Sequence, residues 1–142
     1  MSPELRFVFD TNVLVSAILS KTSVPRQALD LARARGKLLL SWPTIVELHD
    51  VLTRSRFARY VTAEDRRLFM AFLIKDAVLV EILDTVSECR DPQDNKFLEA
   101  VTNGQASCLV SGDQDLLVLN PFRGVPVITP AEFLTWESEN QP

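Results

Sequence analysis

The sequence predicts an α/β fold in which a parallel sheet is covered by helices on both faces. Short apolar runs, typical of buried parallel strands, alternate along the chain with segments whose apolar residues recur at helical spacing. The 142 residues, 46% of them hydrophobic, are enough for one domain with a substantial core. Acidic residues follow several predicted strands, and the carboxyl ends of parallel strands are where such sheets bind ligands.

Two strands and two helices are predicted in the first part of the chain. The apolar run Leu5–Phe9 predicts a buried first strand, and a helix is expected over residues 13–20. Residues 24–35 have helical spacing, and Gly36 is predicted to end that helix. Residues 37–40 then form the second strand, because three leucines follow one another there.

Capping residues mark the helices that come next. Ser41 opens a helix after the second strand, with Pro43 tolerated in its first turn. Thr62 begins another helix that is expected to reach Lys75, and residues 77–83 are strand-like. A helix therefore separates successive strands, as a parallel sheet requires.

The last part of the chain repeats this alternation. Residues 91–101 are predicted to form a helix, and residues 106–111 and 125–128 to form strands. Thr129, followed three residues later by Glu132, is a capping box that predicts a final helix.

The net charge of −4 is the sum of oppositely charged segments. Residues 1–25 are balanced, residues 26–75 carry a net +5 and residues 76–142 a net −9. An acidic protein is not the usual nucleic-acid binder, because phosphate-binding proteins tend to carry a basic surplus. The uneven distribution nevertheless provides a basic segment that could bind phosphates. It also concentrates acidic residues in the second half of the chain, and this concentration requires a chemical explanation.

Composition excludes several classes of protein. No apolar run approaches the ~18 residues of a membrane span, and the N-terminus lacks the apolar stretch of a signal peptide. Two cysteines without CxxC spacing and a single histidine argue against a disulfide scaffold, a zinc site and a Ser-His-Asp hydrolase. Glycine-rich phosphate-binding motifs are absent as well. We therefore expect a cytoplasmic protein with no membrane partner.

Six carboxylates are predicted to gather at the carboxyl edge of the sheet. They follow the first strand, lie in the helix after the second and flank the strand over residues 106–111: Asp10, Glu47, Asp91, Asp94, Asp113 and Asp115. Two unit charges about 5 Å apart repel by roughly 3 kcal/mol at an effective dielectric near 20, so such a cluster needs a cation. Oxygen ligands without histidine or cysteine favour Mg²⁺ or Mn²⁺, which bind phosphates. The pattern thus indicates metal-assisted phosphodiester hydrolysis.

Most of these acids also have a simpler structural interpretation. Asp91 before a proline is a natural helix N-cap, and Asp94 three residues later completes a capping box. Asp113 and Asp115 suit the start of a short helix, and Glu47 suits a solvated helix face. Singly these interpretations stay open, whereas together, at the strand ends of one sheet, the acids favour a metal site.

At these acidic motifs the chain resembles the PIN-domain ribonuclease family. Within the family it is most similar to the branch described as toxin components of type II toxin–antitoxin systems. The matching segments are FVFDTNVLVS (7–16), IVEL (45–48), RDPQDNKFL (90–98), LVSGDQDLL (109–117) and ITPAEF (128–133). The likeness runs in order through nearly the whole chain, which makes it more specific than any single motif.

The resemblance implies a three-layer α/β/α sandwich around a mainly parallel sheet, with an endonuclease site that acts on RNA and holds one or two Mg²⁺ or Mn²⁺ ions. Matched motif by motif, the catalytic and metal-binding acids fall on Asp10, Glu47, Asp94 and Asp113. Auxiliary roles fall on five neighbours: Thr11, Asn12, Asp91, Ser111 and Asp115. Ser111 stands where the family often has threonine, and either hydroxyl is able to hydrogen-bond a carboxylate.

The basic middle segment offers contacts for a phosphate backbone. Three arginines follow the helix that carries Glu47 and are predicted to bind the substrate: Arg54, Arg56 and Arg59. Arg66 and Arg67 lie in the next helix, and nearby aromatic residues would stack on bases: Trp42, Phe57 and Tyr60. The alternative is a solvated basic face with Phe57 in the core.

We therefore predict one domain over residues 1–137, with a short tail over 138–142, that acts as a metal-dependent endoribonuclease and toxin component. Its expected partners are RNA, a cognate antitoxin protein and a second copy in a homodimer. The alternative is a non-catalytic PIN-fold module that binds RNA or protein. A phospho-acceptor receiver fits less well because no lysine stands at a late strand end, and a haloacid-type phosphatase would need an acid at Asn12.

Overall fold

A five-stranded parallel sheet forms the centre of the protein. In a computed structural model that describes residues 4–139, the strands are β1 (Leu5–Phe9), β2 (Gly36–Leu40), β3 (Val78–Leu79), β4 (Cys108–Val110) and β5 (Val127–Ile128). Their order across the sheet is β3-β2-β1-β4-β5. The predicted α/β class with a parallel sheet is confirmed.

Helices connect the strands throughout the described residues. They are α1 (Thr11–Leu19), α2 (Val24–Arg35), α3 (Trp42–Leu52), α4 (Ser55–Ala58), α5 (Ala63–Lys75), α6 (Asn95–Gly104), α7 (Gln114–Leu117) and α8 (Pro130–Glu139). A 3₁₀ turn, Pro92–Asp94, directly precedes α6.

Alternate residues of the inner strands divide the core into two layers. Phe7, Phe9 and Leu38 belong to one layer, and Val8 and Leu39 belong to the other. Helices α1, α2, α3, α5 and α8 contribute buried residues to the first layer, whereas α6 and α7 contribute to the second. This burial on both faces gives the three-layer α/β/α arrangement.

The predicted caps start their helices. Ser41 forms a capping box at the start of α3, and Thr62 and Asp65 form one at the start of α5. The Thr129 N–H donates a hydrogen bond to Glu132 at 3.0 Å, and the Glu132 N–H donates back at 3.2 Å. These helix starts were predictable because each bond joins residues three apart in the chain.

Gly36 ends α2 as predicted, but in an extended backbone that at once begins β2. Its N–H still donates to the carbonyl of Ala32 in the last turn of α2. A Cβ atom at this position would lie 2.2 Å from the carbonyl oxygen of Leu5 in β1. The close approach of β1, and not a left-handed turn, is therefore what requires glycine here.

The strands are shorter than predicted. The segments expected over residues 77–83, 106–111 and 125–128 yield strands of two, three and two residues. Backbone pairing still continues beyond β4, because the Ser107 N–H donates to Arg6 and the Ser111 N–H donates to Ile128. The apolar runs thus predicted where the strands lie but overestimated the length over which they pair regularly.

Local hydrogen bonds also move two helix starts. Helix α1 begins at Thr11 and not at residue 13, because the Asp10 side chain caps it. The helix predicted over residues 91–101 opens with the 3₁₀ turn, because Asp91 accepts a bond from Gln93 only two residues later. Helix α4 was not predicted, and it has no side-chain cap that would have marked it.

The last helix reaches into the segment predicted as a short tail. Helix α8 continues through Glu139, into the region predicted as a tail, and residues 140–142 of that tail lie outside the described residues. Among residues 4–139, none of the helices combines the length and apolar character that a membrane crossing needs.

Candidate metal centre

The acidic site lies at the carboxyl edge of the sheet, where the strand order reverses. Strand β1 lies between β2 and β4, so the chain moves away from β1 in opposite directions in its two halves. Asp10 directly follows β1, Glu47 lies in α3 after β2, and Asp113 follows β4. Asp94, in the 3₁₀ turn before α6, reaches the same edge. The topology thus gathers residues that are far apart in the sequence.

A groove of about 750 Å³ opens at this edge. Three of the four predicted ligands line it, and Asp10 is buried beside them at 3% exposure. The lining residues that carry the argument below are Asn12, Trp42, Glu47, Arg54, Asp91, Asp94, Lys96 and Asp113.

The carboxylate of Asp10 is held from two sides. Its Oδ1 accepts a hydrogen bond from the Val13 N–H at 2.8 Å, and its Oδ2 accepts one from the Ser111 hydroxyl. The Ser111 oxygen in turn accepts a bond from the Asp113 N–H at 2.9 Å. Burial raises the pKa of Asp10, and the bonds from Ser111 and Val13 oppose that shift. Ser111 therefore joins two predicted ligands, which supports its predicted auxiliary role.

Asp94 has a buried carboxylate oxygen, Oδ2, with no hydrogen-bond partner among the described residues. Burial is the largest of the causes that raise the pKa of Asp94 to about 7. A hydrogen bond shared with Asp113 and the negative charges of Asp113, Asp91 and Glu47 act in the same direction. A buried, unpartnered oxygen among other carboxylates is the donor set of a hard divalent cation, so these residues fit Mg²⁺ or Mn²⁺.

Two acids that were predicted to be auxiliary, Asp91 and Asp115, lie close to Asp94. One carboxylate oxygen from each of the three lies within 4.8 Å of the others. Asp91 also accepts a bond from the Gln93 N–H at 3.0 Å, so its simpler role as a cap is real. The Asp115 N–H donates to Asp113 Oδ1 at 2.9 Å. Asp94 is thus common to the predicted ligand set and to this second cluster.

Glu47 forms an ion pair with Lys96, a residue outside the predicted site. The Lys96 ammonium contacts Glu47 Oε2, and the two side chains are 17% and 28% exposed, respectively. Lys96 lies in the first turn of α6, two residues after Asp94. Its place in the motif of Asp94 is the one signal that could have found it, because the paired residues are 49 apart in the sequence.

The sequence model of the family described as PIN domain matches residues 6–115, which include all six acids of the candidate site. This chain belongs to the PIN domain family. The predicted family is thereby confirmed, and PIN domains are generally nucleases.

Two relatives of this PIN domain differ in what they support. An uncharacterised protein of Methanocaldococcus jannaschii is 27% identical over 141 residues, which cover 92% of this chain and 90% of the relative. The solved structure of VapBC2 from Rickettsia felis, bound to a DNA fragment from their promoter, contains a similar chain with a TM-score of 0.61 and 12% identity. That match covers 87% of this chain and 97% of the other, and at such low identity it supports the fold.

One of the three predicted substrate-binding arginines lies at the groove of the PIN domain. Arg54 lines the groove directly. The Arg56 guanidinium lies over the ring of Phe57, 4.6 Å from its centroid, and Arg59 lies over Tyr60 at 5.8 Å. Neither Arg56 nor Arg59 lines the groove, so Arg54 is the one of the three predicted substrate-binding arginines that reaches it.

The three aromatic residues divide in the same way. Trp42 lines the groove and is 69% exposed, whereas Phe57 packs against the core and Tyr60 lines a separate pocket. Arg66 and Arg67 line an adjoining cleft of about 660 Å³ that shares Trp42 with the groove. Of the three aromatic residues, Trp42 is therefore the one that lies in the groove with the acids.

The remaining predicted residues are easily placed. Asn12 is exposed on the groove, and Thr11 is buried in the first turn of α1. His49 is exposed on α3. Cys89 and Cys108 are buried, and burial raises the pKa of the Cys108 thiol to about 12.

Proposed function

We propose that this PIN domain is a divalent-metal-dependent endoribonuclease. The observation that carries the proposal is the meeting of Asp94, with its unpartnered buried oxygen, with Asp113 and, through Ser111, with Asp10. Together with Glu47, these acids would hold one or two Mg²⁺ or Mn²⁺ ions. A cation there supplies a nucleophile at neutral pH and stabilises the charge that develops on the phosphoryl group.

The chain's own groups would bind and orient the RNA. Ser111 and the Val13 N–H fix the Asp10 carboxylate, so its direction is set before any ligand arrives. Arg54 would contact a phosphate and Trp42 an unpaired base, since both line the groove. In-line hydrolysis would leave a 5′-phosphate and a 3′-hydroxyl.

Cleavage of a fluorescently labelled single-stranded RNA by the purified protein tests the proposal. We expect cleavage with Mn²⁺ or Mg²⁺, none with EDTA, and loss of activity in Asp10→Asn. Asp84→Asn is the matched control, because Asp84 is exposed and its carbonyl is bound by Asn103 at the far end of α6. RNA binding without cleavage by the wild-type protein would instead favour the non-catalytic module.

We also propose that the protein acts in the cytoplasm as the toxin of a toxin–antitoxin pair. The motifs shared with the toxin branch and the fold shared with a chain of VapBC2 support this role. Induced expression in a bacterial host should arrest growth, and Asp10→Asn should relieve the arrest at equal protein level. Light scattering of the purified protein tests the proposed homodimer.

A further inference from the structure

We infer that the Lys96 ammonium fills the position beside Glu47 that a second divalent ion would otherwise take, so that the groove binds one divalent ion. This inference rests on the proposed metal dependence and adds a role for a residue outside the predicted site. The Lys96 ammonium contacts Glu47 Oε2 across the groove, from α6 to α3. Both side chains are largely buried, at 17% and 28% exposure.

The ion pair is distinctive within this site. Among the described residues, no other lysine or arginine forms an ion pair with a carboxylate that lines the groove. Arg54 also lines the groove but is exposed, whereas Lys96 reaches inward from the first turn of α6. Lys96 therefore neutralises Glu47 specifically, while Asp94 Oδ2 stays without a partner.

A lysine ammonium is a compact point charge that offers hydrogen-bond donors to a carboxylate. A second divalent ion at Glu47 would have to displace it and would leave a partly buried ammonium unpaired, which is costly. Lys96 would also repel any ion that binds next to it. The divalent ion therefore belongs to Asp94, Asp113 and Asp10, while the ammonium of Lys96 is the cation at Glu47. This narrows the proposed one or two ions to one, which Glu47 does not bind directly.

Mn²⁺ binding to the full chain, followed by calorimetry and electron paramagnetic resonance, tests this role without any RNA. We expect one Mn²⁺ per wild-type chain and two per Lys96→Met chain, with the spectrum of two interacting ions in the variant. Lys96→Arg keeps a cation and should bind one. The double variant Glu47→Gln/Lys96→Met should also bind one, because the second position then lacks its carboxylate.

Two Mn²⁺ ions in the wild-type chain, or none in both wild type and Lys96→Met, would overturn the inference. So would a Lys96→Met chain that binds only one Mn²⁺ ion, whatever its affinity, because removal of the ammonium would then have opened no second position. If Lys96→Met does not fold by circular dichroism, Lys96→Gln replaces it with the same expectation. Because metal binding is the readout, inactivity toward RNA would contradict the proposed nuclease and leave this result intact.

Discussion

The hydroxyl group of Ser111 donates a hydrogen bond to Oδ2 of Asp10 and so ties the end of β4 to the end of β1. Both residues are buried, at 0% and 3% exposure. Since Ser111 also accepts the Asp113 N–H, one hydroxyl positions two of the predicted metal ligands. This arrangement makes Ser111 the simplest residue at which to separate positioning from ligation.

Ser111→Ala should lower both stability and cleavage. It leaves a buried oxygen of Asp10 and the Asp113 N–H without their partner, which costs about 1–3 kcal/mol of unfolding free energy. Urea unfolding and RNA cleavage measure the two effects, and Ser111→Thr should preserve both. Ser107→Ala is the control: Ser107, just before β4, accepts the Arg6 N–H at 3.0 Å, so its loss should affect stability alone. Equal cleavage by Ser111→Ala and wild type would contradict the positioning role.

The stability of the metal-free protein should fall as the pH rises from about 4 to 7. Burial raises the pKa of Asp94 to about 7, whereas in the unfolded chain it ionises near 3.9, so in this range the native state binds more protons. The pKa of Asp10 is shifted in the same direction. Mn²⁺ competes with these protons, so its stabilising effect should grow with pH and level off above about 7.

Urea titrations in EDTA and in Mn²⁺ across this pH range measure the effect. Asp94→Asn is the decisive comparison, because it removes the titrating group and keeps the side-chain shape. Its unfolding free energy should fall less steeply with pH than that of the wild type. An identical slope for the two proteins would show that Asp94 keeps its ordinary pKa.

Much of the candidate site could be predicted because its signals are local or topological. Asp10 follows an apolar strand and caps the next helix through a bond to a residue three positions later. A short stretch of sequence therefore contains both the strand end and the helix cap. Parallel strands end at one edge, so Asp10 and Asp113 were expected to meet. The capping boxes at Ser41 and Thr62 belong to the same local class.

Contacts between distant segments could not be predicted from one sequence. Lys96 meets Glu47 only because α3 and α6 flank the same groove, and no local rule links residues 49 apart. The sequence does not distinguish between the three arginines Arg54, Arg56 and Arg59. Helix α4, which was not predicted, places only Arg54 at the groove. Side-chain direction in such a segment depends on tertiary packing.

Arg54→Ala should weaken RNA binding more than Arg59→Ala. Both arginines are exposed, but Arg54 lines the groove and Arg59 lies over Tyr60. Losing one phosphate contact should reduce the salt dependence of single-strand binding by about 0.7 in the slope of log K against log salt. Fluorescence anisotropy in an Asp10→Asn background measures binding without cleavage. Equal losses in the two variants would argue for diffuse attraction by the basic segment.

Asp113→Asn should weaken Mn²⁺ binding by about tenfold or more, and Asp115→Asn by less than about threefold, because Asp113 is the predicted ligand and Asp115 is predicted to have an auxiliary role. Asp113 is linked through Ser111 to Asp10, and the neighbouring Asp113 carboxyl group is one of the causes that raise the pKa of Asp94. Asparagine at residue 113 keeps the oxygen that accepts the Asp115 N–H, so the start of α7 is preserved. Calorimetric titration of both variants makes the comparison. The reverse order of losses would move the ligand set to Asp94, Asp115 and their neighbour Asp91, whose carboxylate oxygens already lie within 4.8 Å of one another.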